Sequence, residues 1–412
     1  MRFLHLADLH LGKSLHGISL MENGDQPAWV ERFLALAGEL RPEAVVMAGD
    51  IYDRSAPAGD AVQLLDRLLT GLSRLGIPVM LIAGNHDSGQ RLSFAGELLS
   101  RQDVHIAGTL SPDGSLRRVT LRDEYGPVSF WLMPYVFPAL VSQVLGDDTI
   151  RDYDAAVRAL LSVQEIDRTQ RNVIVAHQNV TANGVEAVRG GSETMVGGVG
   201  QVDYTAFDGF CYAALGHIHA GYPVGRETVR YAGSPLCYHF EETKQRGKGP
   251  VLVTLGADGA CCAETLRIEP LHPMRELRGE YAALRDAELA SARRGEYIRI
   301  VLTDRRVTPE VSQFFRDLYE GRGSVLMELV SEFDPFTGRP ETPTGQAAGE
   351  KTVEELFADF YTERCNQPPT AAEADLLRFA AELQRSADDP AKPGEALIER
   401  LVRFALGQEV EG

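Results

Sequence analysis

Phe3-Leu4-His5-Leu6-Ala7-Asp8-Leu9-His10-Leu11-Gly12 starts as a largely apolar run of strand length and breaks on a carboxylate and an imidazole two residues apart. The pattern returns along the chain. Ala44–Ala48 leads into Gly49-Asp50-Ile51-Tyr52-Asp53, and Ile77–Ala83 leads into Gly84-Asn85-His86-Asp87. Val173–Ala176 leads into His177, and Tyr212–Leu215 into Gly216-His217-Ile218-His219. Amphipathic stretches of helical length, Pro27–Leu40 and Asp60–Leu75, separate the first three runs. Strands alternating with helices require right-handed crossovers and parallel pairing. Ligands of such sheets collect beyond the carboxyl ends of the strands, where Asp8, Asp50 and Asn85 fall. Further short runs at Val128–Met133, Thr228–Tyr231 and Val251–Leu255 supply more strands. The expected class is α/β: two sheets packed face to face, helices outside, and the polar motifs along one rim.

The motifs offer two carboxylates, one amide and four imidazoles at Asp8, Asp50, Asn85, His10, His177, His217 and His219. Hard oxygen donors mixed with imidazoles suit Mn, Fe or Zn better than Mg or Ca alone. Two such ions about 3.5–4 Å apart neutralise a phosphate ester and activate water near pH 7. Aspartate is the natural bridge, with two anionic oxygens on a short stem. Taken singly the pieces are ordinary: Asp-x-His is common, Asn85-His86-Asp87 reads as a turn, and a lone histidine is usually packed or at the surface. Gly216-His217-Ile218-His219 is more telling, because alternate residues of an extended chain face one side. Five such pieces in order, each after a strand-like run, are poorly explained by chance.

The remainder divides further. Residues 1–269 carry every motif. Residues 270–333 read as a small αβ unit, with a strand at Glu296–Thr303, a helix capped by Thr308 with Pro309 at its first position, and a returning strand at Ser324–Phe333. Val311, Phe314, Phe315, Leu318 and Tyr319 share one face of that helix. Residues 334–349 are rich in Pro, Gly and Thr and read as a linker. Residues 350–412 hold capping boxes at Thr352/Glu355 and Thr370/Glu373 and read as short helices that need tertiary or partner packing.

The 412 residues carry a formal net charge of −18, with 15 acidic and 7 basic side chains from Glu341 onward. Long-range attraction of a polyanion by the isolated chain is therefore weak, and a nucleic-acid substrate needs local patches, metal ions or a basic partner. Five cysteines without CxxC spacing exclude a disulfide framework and a thiolate zinc site. No apolar stretch is long enough to span a bilayer, and the start lacks the features of a signal peptide, so a cytoplasmic location without membrane association is expected.

On these motifs the chain resembles the calcineurin-like metallophosphoesterase superfamily. Asp8-Leu9-His10-Leu11-Gly12, Gly84-Asn85-His86-Asp87-Ser88, Ala214 to His219 and Arg230-Tyr231-Ala232-Gly233-Ser234-Pro235-Leu236 are similar to the nuclease subunits that bacteria pair with an SMC-like ATPase in DNA repair. The resemblance implies two divalent ions, with manganese expected. Asp8, His10, Asp50 and His219 would hold one, and Asp50, Asn85, His177 and His217 the other, with Asp50 bridging. It implies that His86 stabilises the transition state or protonates the leaving oxygen, with Asp87 orienting its ring. Arg91 would approach a phosphate, with an ordinary surface arginine the equal alternative. Asp53 stands where archaeal and eukaryotic relatives place a histidine close to the substrate, as bacterial members commonly have it, so its implied role is support of the metal shell. The implied activity is 3′–5′ double-strand exonuclease and single-strand endonuclease on DNA ends and hairpins. Residues 270–333 would be a capping domain. The terminal helices would dock on the ATPase, and the chain would be a homodimer within a heterotetramer. Two other readings use the same residues: a metallophosphatase or cyclic-nucleotide phosphodiesterase, and a non-catalytic scaffold subunit. A scaffold would have lost ligands, and every expected ligand position is filled.

Overall fold

The computed structural model describes residues 1–182, 200–244 and 248–333, together with Thr370. The expected linker and nearly all of the terminal helical segment lie outside the described residues. The chain divides into two compact units, Met1–Ser331 and Glu332–Gly412.

The two large sheets of the first unit are built from β1 (Arg2–Leu6), β2 (Ala44–Ala48), β3 (Val79–Ile82), β4 (Val104–Ala107), β5 (Arg117–Asp123), β6 (Gly126–Met133), β7 (Arg171–His177), β8 (Tyr212–Gly216), β9 (Pro223–Val224), β10 (Arg226–Tyr231), β11 (Val251–Leu255) and β12 (Cys261–Thr265). They form two six-stranded sheets, ordered β12-β11-β1-β2-β3-β4 and β9-β10-β8-β7-β6-β5. β1 to β4 are parallel, as are β6, β7, β8 and β10; the antiparallel pairings lie toward the sheet edges.

Alternation along the strands explains the layering. Phe3, Val46, Met80 and Val253 from one sheet meet Phe130, Val173, Val175 and Tyr212 from the other in a core between the sheets. The intervening residues Leu4, Leu6, Val45 and Met47 point outward under α1 (Asp25–Leu40) and α2 (Gly59–Arg74). Trp131, Ile174 and Ala213 point outward under α3 (Pro138–Leu145) and α4 (Tyr153–Ser162). Central strands covered on both faces read as continuous apolar runs, which is why β2 and β3 carry no polar alternation. The result is helices, sheet, sheet, helices, with the parallel strands of both sheets ending at one rim. The expected fold class is the one observed.

The expected capping unit, residues 270–333, has its own hydrophobic cluster around Ile298, Ile300, Phe315 and Tyr319. β13 (Met274–Gly279), β14 (Tyr297–Leu302) and β15 (Val325–Ser331) are parallel, so α5 (Tyr281–Ala290) and α6 (Pro309–Glu320) are crossovers. Thr308 accepts from the Val311 N–H at 3.4 Å to cap α6, and Val311, Phe315 and Tyr319 are the buried face. Among the described residues no helix is long and apolar enough to cross a membrane.

Candidate metal centre

β1, β2, β3, β7 and β8 deliver the seven expected ligands to one place. The loops are stitched together: Asp8 N–H donates to Gly49 O at 3.0 Å, and His10 N–H to Asp50 O at 2.9 Å. Asp8, His10, Asp50 and His217 have left-handed backbones, with φ of 53°, 42°, 49° and 101°. Such strain costs about 1–3 kcal/mol per residue and persists where the surroundings hold the chain to a task. Gly84 is required by close approach, since a Cβ there would overlap the Asp50 carboxylate and backbone nitrogen.

Three groups of ligand atoms lie within 4.8 Å of one another: Asp8–His10–His219, Asp8–Asp50–His177 and His10–Asp50–His86. Asp50 is central. Its Oδ2 is 3.4 Å from His177 Nε2 and 3.5 Å from His10 Nε2, while Oδ1 accepts from the His86 N–H at 2.9 Å. Asn85 Oδ1 lies 3.1 Å from His177 Nε2 and 3.0 Å from His217 Nδ1, which ties His217 to the second group. Asp8 Oδ1 accepts from the His217 N–H at 2.9 Å, leaving Oδ2 buried without a hydrogen-bond partner.

The donor set fits divalent cations on the tautomers alone. His177 Nδ1 donates to the Ala48 carbonyl at 2.7 Å, so in the neutral ring Nε2 turns a lone pair toward the oxygens of Asp50 and Asn85. His219 Nδ1 faces Glu242 Oε1 at 3.3 Å, and its Nε2 meets His10 Nε2 at 3.1 Å. Lone pairs directed at lone pairs need a shared proton or a cation. The titration pattern agrees. Burial pushes Asp8 up to about 7 against the pull of His177 and His219. Burial would lower His177, but Asp50 and Asp8 hold it up at about 9. Burial would raise Asp50, yet His177 and His10 hold it well below the carboxylate range. Burial brings His10 down to about 4, and burial with neighbouring His177 brings His217 down to about 3. Protons shared this way are displaced when divalent ions bind.

His86 is exposed and stands beside this cluster, its ring edge-on to His10 with centroids 4.8 Å apart. The expectation that Asp87 orients that ring is corrected. Asp87 Oδ1 accepts from Tyr52 N–H, and Oδ2 from Ile51 and Gly84 N–H, at 2.9–3.1 Å, so the carboxylate clamps two ligand loops together. The ring is held instead by Asp53, whose carbonyl accepts from His86 Nδ1 at 3.0 Å. The Asp53 side chain faces the other way, 3.5 Å from His10 Nδ1 and 2.8 Å from Lys13 Nζ. Burial would raise its carboxyl, but those two partners hold it well below the usual range. Arg91 lies outside the cluster, donating to Ser55 O at 3.0 Å.

Sequence reasoning missed Glu242. It is fully buried, accepts from Tyr238 N–H at 3.0 Å and Lys248 Nζ at 2.5 Å, and faces His219 Nδ1. Burial would raise it; His219 and Lys248 hold it at about 2. A carboxylate behind a ligating imidazole fixes the ring and raises its basicity. Glu242→Gln is expected to weaken Mn²⁺ binding by about 10–100-fold, read by calorimetric titration. Unchanged affinity would leave Glu242 a packing residue. Gln26 was missed as well; its amide bonds Leu9 O and His10 O from beneath.

Comparison with known proteins places the calcineurin-like phosphoesterase family model on residues 1–221. The SbcD C-terminal domain model, described as the type 5 capsule protein repressor C-terminal domain, matches residues 270–364. A solved structure, TT1561 of Thermus thermophilus, is similar at 11% identity and a TM-score of 0.38, covering 65% of this chain and 99% of that one.

Proposed function

The chain belongs to the calcineurin-like phosphoesterases, and from that membership we propose that it is a two-metal DNA nuclease of the SbcD type. It would hydrolyse phosphodiesters at DNA ends and hairpins, as a 3′–5′ double-strand exonuclease and single-strand endonuclease, alongside an SbcC-type SMC-like ATPase. The observation that carries the reading is the convergence of six further ligand side chains on Asp50, with exposed His86 beside them. Divalent ions held there, with Mn²⁺ the metal to test first, would neutralise phosphate charge and supply a nucleophile from water near neutral pH.

The chain's own residues do the rest. Asp8 and Asp50 supply the negative charge, and the fixed tautomers of His177 and His219 present lone pairs without reorganisation. The Asp53 carbonyl accepts from His86 Nδ1 and holds the ring beside the cluster, where its opposite nitrogen would pass a proton to a departing oxygen.

The experiment is a substrate panel with Mn²⁺: a nitrophenyl phosphodiester, a phosphate monoester, a cyclic nucleotide and duplex DNA. Cleavage of DNA and the diester, abolished by EDTA, is expected. Hydrolysis of the monoester or the cyclic nucleotide alone would move the assignment to a phosphatase or cyclic phosphodiesterase. Inactivity on all four with metal bound would favour a scaffold. The partner is tested separately. Removing residues 341–412 is expected to abolish binding to an SbcC-type ATPase and leave metal-dependent diester hydrolysis within about twofold, a change of less than about 0.5 kcal/mol in barrier height. Retained binding would contradict docking through the terminal helices.

A further inference from the structure

The start of α1 faces two parts of the molecule at once. Asp25 is 2% exposed; its Oδ1 accepts from the His272 backbone N–H at 3.2 Å and faces His272 Nδ1 at 3.0 Å. Its Oδ2 accepts from the Tyr297 hydroxyl at 2.5 Å, and Asn23 Nδ2 reaches the same hydroxyl at 2.5 Å. Tyr297 opens β14 of the cap, and His272 lies two residues before β13. Gln26, the next residue, turns the other way. Its Nε2 donates to His10 O at 2.8 Å and Leu9 O at 3.3 Å, and its Oε1 accepts from the Gly12 N–H at 2.9 Å.

Successive helix residues are about 100° apart, so one turn presents Asp25 to the cap and Gln26 to the Asp8–Gly12 loop. Both side chains are buried, and both ends of the Gln26 amide are used. Buried polar side chains satisfied this fully hold one position, because every displacement strands a donor or an acceptor. Trp29, Val30 and Phe33, buried a turn or two further along, keep the helix from rotating to relieve a mismatch.

We propose that the Asn23–Gln26 turn is a positioning link. Tyr297 and His272 of the cap fix Asp25, and Gln26 carries that position to the carbonyls of Leu9 and His10. The seating of the cap thereby sets the affinity of the centre for divalent cations. Asp25, Gln26 and Tyr297 touch no reacting atom and act through the loop bearing Asp8 and His10. The inference rests on the metal reading given above.

The test is Mn²⁺ titration of the full chain by calorimetry, with the unfolding midpoint recorded for each variant. Tyr297→Phe removes one oxygen, and Asp25→Asn keeps the shape while losing the charge that Tyr297 and His272 face. Each is expected to weaken Mn²⁺ binding by about fivefold, the lower end of typical coupling between sites. Gln26→Leu should do the same. The Tyr297→Phe/Gln26→Leu double variant should show the same loss of about fivefold as either single, not the product of about 25-fold, because both changes interrupt one link. Wild-type affinity in Tyr297→Phe and Asp25→Asn, or singles that multiply in the double variant, would overturn the link. A wild-type chain that binds no Mn²⁺ would refute the metal reading and this inference with it, and that result appears before any variant is made.

Discussion

Asp50→Asn is expected to lower Mn²⁺-dependent phosphodiester hydrolysis by about 10³-fold or more, with bound Mn²⁺ falling from two per chain to one or none. The magnitude follows from metal ions contributing several kcal/mol of transition-state charge stabilisation, each 1.4 kcal/mol being about tenfold in rate. The site explains why Asp50 exceeds any other ligand in effect. A single oxygen faces both His10 and His177, so a neutral amide weakens both centres together. The other oxygen holds the His86 backbone, a bond that an amide oxygen can still accept, which keeps the His86 loop in place. Metal analysis of the dialysed variant beside the rate separates the cases. Two ions retained with a lost rate would deny Asp50 its bridging role.

His86→Ala is expected to lower kcat by about 10²–10⁴-fold, the usual contribution of a positioned proton donor, with Mn²⁺ stoichiometry and KM near wild type. His86 is close enough to Asp50 and His10 to be a ligand itself. Its exposure and its bond to the Asp53 carbonyl favour the proton-transfer role. Calorimetry discriminates: loss of one Mn²⁺ site in step with kcat would make His86 a ligand, and unchanged Mn²⁺ binding with a lost rate would make it the acid. A leaving group of low pKa, needing no proton, should be cleaved by His86→Ala with a smaller loss than DNA.

Much of this centre was legible because backbone geometry and chemistry coincide in it. β2 and β3 are buried on both faces, so each appears as an uninterrupted apolar run, and β1 does so apart from Arg2 and His5; the polar residue that follows each run is the one reaching the rim. Glu242 was not legible for the opposite reason. Its charge is neutralised by Lys248 and His219 in three dimensions, and in sequence it is one charged residue in a run with Glu241 and Lys244. Asp87 was misread because a carboxylate next to a histidine suggests a dyad, whereas the tight turn directs it back onto the amides of Gly84, Ile51 and Tyr52. α5 was hidden by inverted polarity. Its buried residue is Glu288, which accepts from Arg275 at 2.7 Å and from the Tyr319 hydroxyl at 3.1 Å, so the apolar face begun by Tyr281 and Leu284 is broken by a charge. β13 escaped likewise, with Arg275 paired to Glu288 and Glu276 to Arg299 and Lys244.

The most direct measurement is incubation of the purified chain with Mn²⁺ and end-labelled linear duplex DNA, beside His86→Ala. Shortening of the DNA that requires both Mn²⁺ and His86 is the predicted result. DNA left intact while a phosphate monoester is hydrolysed under the same conditions would contradict the assignment of a nuclease.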